Sequence, residues 1–183
     1  MNKPEVIFLC GFMGAGKTTI GRKLAEELNC PFLDLDDRIT EKAGKTISEM
    51  FKEAGEAKFR AVERSALLEV ASDFEGVVAL GGGSVQNQEL LDHLKESGLL
   101  IFIEAPMEVV VDRISEDSNR PLLLDEQGES KDRETLKKDL EVLYADRKPL
   151  YEQAQISLQV QPGESTGKQV ETLIKKIRSH AAK

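Results

Sequence analysis

The sequence predicts an α/β domain in which a parallel β-sheet is covered by helices on both faces. Five short apolar segments have the character of buried strands, and segments with helical spacing separate them along the chain. A glycine-rich turn follows the first strand and opens the first helix. Strands that alternate with helices are typical of parallel sheets, because the chain crosses back over the sheet between them. We therefore expect a single three-layer domain over residues 1–183.

The strands are predicted from short, nearly continuous apolar runs, as expected where a sheet is buried on both faces. In chain order they are Val6–Cys10, Pro31–Leu35, Val77–Leu80, Leu99–Ile103 and Ile156–Val160.

The helices are predicted from apolar residues three or four positions apart, bounded by capping residues and glycines. They are Lys17–Leu28, Asp37–Lys45, Glu56–Ser72, Leu90–Glu96, Pro106–Ser115, Arg133–Gln153 and Thr166–His180. A capping box at Thr46 and Glu49 opens a further helix, for which Gly55 is the expected stop or kink. The intervening stretch at 117–133 is polar and is expected to form a mobile loop.

The composition narrows the classes of partner. Twenty-five Lys and Arg residues against thirty-three Asp and Glu residues give a net charge of −8, which disfavours nucleic acids and membrane surfaces as partners. Cys10 and Cys30 belong to no metal-binding pattern and are expected to be reduced thiols. Met1–Pro4 is short and polar, so we expect no signal peptide, and we expect a cytoplasmic monomer.

A phosphate-binding loop is predicted at Gly11–Thr18, which matches the pattern G-x-x-x-x-G-K-[ST]. The glycines let the backbone turn so that successive N–H groups converge on phosphate oxygens, and the following helix adds the positive end of its dipole. Lys17 is placed to reach the β- and γ-phosphates, and the Thr18 hydroxyl to ligate Mg²⁺. The motif follows a predicted buried strand and precedes an amphipathic helix, as it requires. We predict nucleoside-triphosphate binding and phosphoryl transfer.

Six motifs from Val6 to Val160 resemble those of the shikimate kinases in order and spacing. They are Gly11–Gly21 (GFMGAGKTTIG), Phe32–Asp36 (FLDLD), Phe59–Glu63 (FRAVE), Leu80–Gly83 (LGGG), Asn119–Leu122 (NRPL) and Arg147–Tyr151 (RKPLY). The resemblance implies ATP-dependent phosphorylation of the 3-hydroxyl of shikimate, giving shikimate 3-phosphate and ADP in aromatic amino-acid biosynthesis. It also implies a small P-loop kinase fold with a substrate-binding helical segment at about 34–62 and a lid at about 114–131.

The same resemblance implies roles for individual residues. It implies catalytic roles for Lys17, Asp36 and Arg120, and support of Mg²⁺ by Thr18 and by Asp34 through water. The residues expected at ATP are Gly14, Ala15, Gly16, Lys17, Thr18, Thr19, Arg113 and Arg120. The residues expected at shikimate are Asp36, Arg60, Gly82, Gly83 and Arg147, with the two arginines on its carboxylate.

Elementary chemistry is compatible with these roles but leaves alternatives open. Asp34 and Asp36 at i and i+2 of a strand would face one cleft. The stretch from Asp34 to Asp37 could instead be a helix N-terminus that uses its carboxylates as caps, and Asp36 or Asp37 could cap as well. Arginines suit a carboxylate because the guanidinium binds it in a bidentate manner. Arg60 could instead be a solvated helix residue, and Arg147 could simply stabilise the negative end of its helix dipole.

The contacts with the nucleotide base depend most on the resemblance to the family. The loop 161–166 (QPGEST), which cradles adenine in shikimate kinases, carries no basic residue here, so the base contacts and Arg113 are the least specific assignments. Gly81, Gly82 and Gly83 at a strand end predict close backbone approach to a ligand, whereas a plain turn needs one glycine. The alternatives are another small-molecule kinase, such as a gluconate or nucleoside-monophosphate kinase, and a non-catalytic nucleotide-binding regulator.

Overall fold

A computed structural model describes residues 6–85, 87–116 and 130–182. The strands in this part of the chain are β1 (Val6–Cys10), β2 (Phe32–Asp34), β3 (Gly76–Ala79), β4 (Leu99–Glu104) and β5 (Ile156–Gln159). The helices are α1 (Lys17–Leu28), α2 (Leu35–Ala43), α3 (Ile47–Asp73), α4 (Gln88–Ser97), α5 (Met107–Ser115), α6 (Arg133–Tyr151) and α7 (Thr166–Ala181).

The strands form one parallel sheet in the order β2-β3-β1-β4-β5, with β1 in the centre. Phe8 of β1 lies opposite Val78 of β3 on one side and Leu100 of β4 on the other. Both edges of β1 are therefore paired, and all five of its residues are buried. The predicted parallel sheet is confirmed.

The two faces of the sheet support separate apolar cores. Alternate side chains point to opposite faces of a strand, so Phe8 and Cys10 enter one core while Ile7 and Leu9 enter the other. Helices α1 and α7 cover the face of Ile7 and Leu9, whereas α2 to α6 contribute to the core on the face of Phe8. This arrangement gives the predicted three layers.

Most predicted boundaries lie within a few residues of the observed ones, and α3 contains the predicted kink. Thr46 and Glu49 form a reciprocal capping box at its start. Gly55 interrupts the helix with φ of 78° and ψ of 168°, a conformation that glycine adopts without strain.

The second strand differs from its prediction. It ends at Asp34, and α2 begins at Leu35, two residues before the predicted start of a helix at Asp37. The cause is the Asp34 carboxylate, which accepts hydrogen bonds from the backbone N–H groups of Asp36 and Asp37 and so caps the new helix.

The parallel order brings the loops after β1, β2 and β3 to one edge of the sheet. These loops carry the Gly11 turn, the two aspartates and the glycine run at Gly81. Ligands of open α/β sheets bind at this edge, where crossovers leave the central strand in opposite directions.

Elsewhere in the described chain, Cys10 and Cys30 are unpaired thiols, and none of its helices is both long and apolar enough to cross a membrane.

Candidate active site

The Gly11–Thr18 loop wraps around the start of α1. Gly14 and Gly16 have φ of 71° and 98°, and Gly16 is the N-cap of α1, where it offers no side chain to the first turn. The first N–H groups of a helix have no partner within the helix, so this terminus presents donors and a positive dipole end to an anion. The backbone therefore has the positive-φ glycines and the exposed helix N-terminus that the phosphate-loop motif predicts.

Lys17 lies inside this loop with only 8% of its surface exposed. Its Nζ donates to the carbonyl oxygens of Gly11 and Phe12, at 2.9 and 2.8 Å. Desolvating an ammonium group is costly unless it is hydrogen-bonded, and these carbonyls supply that stabilisation. The positively charged ammonium group of Lys17 is thus held inside the phosphate loop by the loop's own backbone.

The Thr18 hydroxyl donates to Oδ2 of Asp34 at 2.6 Å, while Oδ1 of the same carboxylate caps α2. Asp34 therefore joins the start of α1 to the start of α2. The sequence argument that placed Asp34 and Asp36 on one strand is wrong, because Asp36 lies in the first turn of α2. Both residues nevertheless face one cleft. The alternative of a helix N-terminus capped by a carboxylate is confirmed for Asp34, whose side chain accepts from the backbone N–H groups of Asp36 and Asp37.

Asp36 is a partly buried carboxylate with a perturbed acidity. Burial raises its pKa to about 6, and the negative charges of Asp34 and Glu63 add to that effect. The positive charges of Lys17 and Arg60 oppose it. The result is a carboxylate that is ionised at neutral pH yet basic enough to accept a proton.

Arg60 lies on α3 at the mouth of this region and is held from several sides. Its Nη1 donates to Oε2 of Glu63 at 2.7 Å, and its guanidinium lies 5.9 and 5.4 Å from the ring centres of Phe51 and Phe59. The side chain is 22% exposed, so the alternative of a solvated surface arginine is wrong. Glu63 is in turn fixed by the Ser84 hydroxyl, which donates to its Oε1 at 2.7 Å.

Arg147 extends from the end of α6 to the glycine turn after β3. Its Nη1 donates to the carbonyl oxygen of Gly82 at 2.9 Å, and its guanidinium lies 5.9 Å from the centre of the Phe12 ring. The Tyr151 hydroxyl donates to the same carbonyl at 2.5 Å. Arg147 is thus held against the turn, which a purely dipole-compensating role would not require.

The three glycines of this turn are explained by protein neighbours. A Cβ on Gly82 would lie 2.9 Å from the backbone nitrogen of Met13 in the phosphate loop, and one on Gly83 would lie 2.6 Å from Nη2 of Arg60. A Cβ on Gly81 would lie 2.8 Å from Oδ1 of Asp36. The turn therefore packs directly on the phosphate loop and on two of the predicted substrate residues. A plain turn would need none of these contacts.

Arg113 projects from α5 across the top of the phosphate loop. Its Nη1 donates to the carbonyl oxygen of Gly14 at 2.8 Å. On the same side, Thr166 and Gln169 bring the start of α7 to the loop. Of the loop 161–166, Thr166 lines the cleft, and contacts of this loop with the nucleotide base stay a prediction.

A cleft of about 360 Å³ brings most of these residues together. From the predicted set it is lined by Gly14, Ala15, Gly16, Lys17, Thr18, Thr19, Asp34, Asp36, Gly82 and Arg113. Arg60, Gly83 and Arg147 do not line this cleft. They meet at the glycine turn beside it, where Arg60 lies next to Gly83 and Arg147 donates to the carbonyl oxygen of Gly82. Arg120 and most of the expected lid lie outside the described residues.

Several residues of the site were not assigned a role from the sequence. Glu63 lies one helical turn from Arg60, a spacing that could have suggested the ion pair. Tyr151 closes the RKPLY motif and Ser84 follows the glycine run, but neither position indicates the hydrogen bond that its hydroxyl makes. Gln169 gave no signal, because it reaches the site only through the packing of α7.

Comparison with known proteins gives a consistent result. A family model described as shikimate kinase matches residues 13–178. A shikimate kinase from Chlorobium chlorochromatii is 37% identical over 178 residues, which cover 97% of this chain and 93% of the relative. The crystal structure of shikimate kinase from Bacteroides thetaiotaomicron has a TM-score of 0.86 at 35% identity, covering 96% of this chain and 99% of that one.

A second solved structure is that of the Acinetobacter baumannii shikimate kinase in complex with shikimate. It has a TM-score of 0.88 at 35% identity and covers 100% of this chain and 97% of that one. Sequence family, relatives and fold all agree over nearly the full length. The chain belongs to the shikimate kinase family.

Proposed function

We propose how this chain carries out the reaction of its family, the ATP-dependent phosphorylation of shikimate. The γ-phosphoryl group of ATP is transferred to the 3-hydroxyl, and the products are shikimate 3-phosphate and ADP. One observation carries the assignment of the site. A partly buried carboxylate, Asp36, lies on the same cleft as the phosphate loop and within the field of Lys17 and Arg60.

The phosphate loop binds the nucleotide. Its N–H groups and the start of α1 surround the phosphates, and Lys17 is already desolvated and directed into the loop. A fixed cation stabilises the charge that develops on the transferred phosphoryl group without the cost of reorganising water. Arg113, which donates to the Gly14 carbonyl, would lie against the adenine.

Magnesium fits the oxygen donors beside Lys17. The Thr18 hydroxyl and the Asp34 carboxylate lie 2.6 Å apart on the cleft wall, and Mg²⁺ prefers such hard oxygen ligands together with water and phosphate oxygens. When bound there, the ion would neutralise phosphate charge. Thr18 would be the direct ligand, with Asp34 acting through water.

Charged side chains bind the acceptor at its carboxylate and at its attacking hydroxyl. Arg60 lies next to Gly83 and Arg147 donates to the Gly82 carbonyl, so the two arginines reach one turn from different helices. Guanidinium groups at this turn are suited to bind the carboxylate of shikimate. Asp36 accepts a hydrogen bond from the attacking hydroxyl. Because its pKa is raised to about 6, it can also take the proton as the oxygen attacks phosphorus.

Arg120 is proposed as the cation that the lid brings to the phosphates, a role inferred from the family motif alone. We also expect a monomeric cytoplasmic enzyme that needs neither nucleic acid nor a membrane. Light scattering of the purified chain measures the first of these properties.

A coupled ADP-release assay tests the proposal. Purified protein with Mg²⁺ATP is given shikimate, quinate, gluconate or AMP as acceptor. We expect ADP release that depends on shikimate, and phosphorus NMR of the product should show a monoester at the 3-position. Turnover with gluconate or AMP alone would transfer the chain to another kinase class, and the absence of turnover with all four would favour a regulator.

A further inference from the structure

The carbonyl of Gly82 is held by two donors from the end of α6. Tyr151 Oη lies 2.5 Å from this oxygen and Arg147 Nη1 lies 2.9 Å from it. A carbonyl oxygen has two lone pairs, so these donors account for both of them. Helix α6 therefore fixes the direction of this carbonyl group.

Tyr151 is a rigid donor. The residue is 1% exposed, and its ring stacks on Phe102 of β4 with centres 5.4 Å apart and planes 27° apart. Burial raises the pKa of its hydroxyl to about 12, so the hydroxyl keeps its proton throughout the physiological range. The positive charges of Arg147 and Arg60 oppose this rise without cancelling it.

The Gly82 peptide needs such an external constraint. Glycine has no Cβ and populates many backbone conformations, so a run of three glycines does not by itself select one orientation of its peptide groups. The peptide is trans, and therefore the N–H of Gly83 points in the opposite direction to the carbonyl of Gly82. A donor that fixes this carbonyl thereby fixes the plane of the Gly82–Gly83 peptide. The Arg60 guanidinium lies next to Gly83, with its Nη2 2.6 Å from the place that a Cβ would take there.

We propose that Tyr151 is a positioning residue for the acceptor. Its hydroxyl fixes the Gly82 carbonyl, which in turn holds Arg147 and the Gly82–Gly83 peptide in the orientation that binds the acceptor carboxylate. Because Tyr151 is only 1% exposed, this role is exerted through the Gly82 carbonyl and not through direct contact with the acceptor. The inference rests on the proposed role of Arg147 at the shikimate carboxylate.

The test is the variant Tyr151→Phe, which keeps the stacked ring and removes only the hydroxyl. We expect the KM for shikimate to rise about 3- to 10-fold, the size typical of one lost hydrogen bond, while the KM for ATP stays unchanged. Tyr144→Phe is the matched control. It removes the other tyrosine hydroxyl of α6, which donates to Glu104 at 3.0 Å and not to the turn.

The result that overturns the inference is a shikimate KM that Tyr151→Phe leaves at the wild-type value. An equal rise in both KM values together with a lower Tm would also overturn it, since that pattern marks a structural role. Arg147→Lys separates this failure from failure of the proposed function. If Arg147→Lys weakens shikimate binding and Tyr151→Phe does not, only the positioning role falls. If Arg147→Lys has no effect, the carboxylate assignment and the positioning role fall together.

Discussion

The phosphate end and the acceptor end of the cleft are built in different ways. The phosphate end is formed by consecutive residues, Gly11–Thr18, which take their shape from positive-φ glycines and the start of α1. The acceptor end combines α2, the kinked α3, the turn after β3 and the end of α6. Local backbone geometry therefore determines the phosphate end, whereas tertiary packing determines the acceptor end. Substitutions in the two ends should affect the two substrates separately, except where the ends touch.

The largest expected effect lies at the phosphate end. Lys17→Ala removes the desolvated ammonium group of the loop, and we expect kcat/KM for ATP to fall about 10³-fold because an electrostatic contact to the transferring group is lost. Steady-state kinetics with saturating shikimate measures the effect. Lys23→Ala is the matched control, since Lys23 lies on the same helix in exposed ion pairs with Glu26 and Glu27. Equal activities of the two variants would contradict the assignment.

The second effect sharpens the comparison at the acceptor end. Asp36→Asn keeps the shape but removes the proton acceptor, so we expect kcat to fall about 10²-fold or more with an unchanged KM for ATP. In the wild type, kcat/KM for shikimate should decline as the pH falls through about 6, because Asp36 becomes protonated. Asp37→Asn, which changes an exposed neighbour, should leave both properties unchanged. Full turnover in Asp36→Asn would remove Asp36 from the chemistry.

The third prediction concerns the contact between the two ends of the cleft, where one substitution should affect the binding of both substrates. Gly82→Ala places a Cβ 2.9 Å from the Met13 nitrogen of the phosphate loop, so the loop or the turn must shift. We expect the KM values for ATP and for shikimate to rise together, each by about 10-fold. Gly167→Ala is the control, because a Cβ there meets no atom within 4 Å. A rise in one KM alone would show that the ends are not coupled through this contact.

A further effect concerns stability and not catalysis. The folded-state pKa of Asp36 is about 6, above its ordinary value of 3.8, so the unfolded chain loses this proton first as the pH rises. Wild-type stability is therefore lost relative to Asp36→Asn between about pH 4 and pH 6. We expect the variant to be more stable by about 2 kcal/mol at pH 8, and equally stable near pH 4. Urea unfolding at both pH values measures this difference, and a constant difference would contradict it.

The sequence was sufficient for the fold and for the phosphate loop because both follow from local patterns. Apolar runs marked the strands, the capping box marked the start of α3, and the glycines with Lys17 marked the loop. The end of the second strand shows where local reasoning failed. The apolar pattern extended this strand to Leu35 and placed Asp36 on it, yet the strand ends at Asp34, whose carboxylate caps α2 and also accepts a hydrogen bond from the Thr18 hydroxyl.

The acceptor end could be predicted only as a set of unconnected residues. Nothing local to Arg60 indicates that Ser84 fixes its partner Glu63, since 21 residues separate that serine from the glutamate. Tyr151 likewise reaches Gly82 across 69 residues of chain. Such contacts depend on how the helices pack over the sheet, which periodicity does not specify.

The most direct test of the separate ends is the pair of KM values in Arg60→Lys. Lysine keeps the charge but not the planar, bidentate geometry, so we expect the KM for shikimate to rise at least about 10-fold while the KM for ATP stays within about two-fold of wild type. Arg64→Lys, on the next turn of α3 and exposed, is the control and should change neither value. An unchanged KM for shikimate, or equal changes in both KM values, would contradict this account of the cleft.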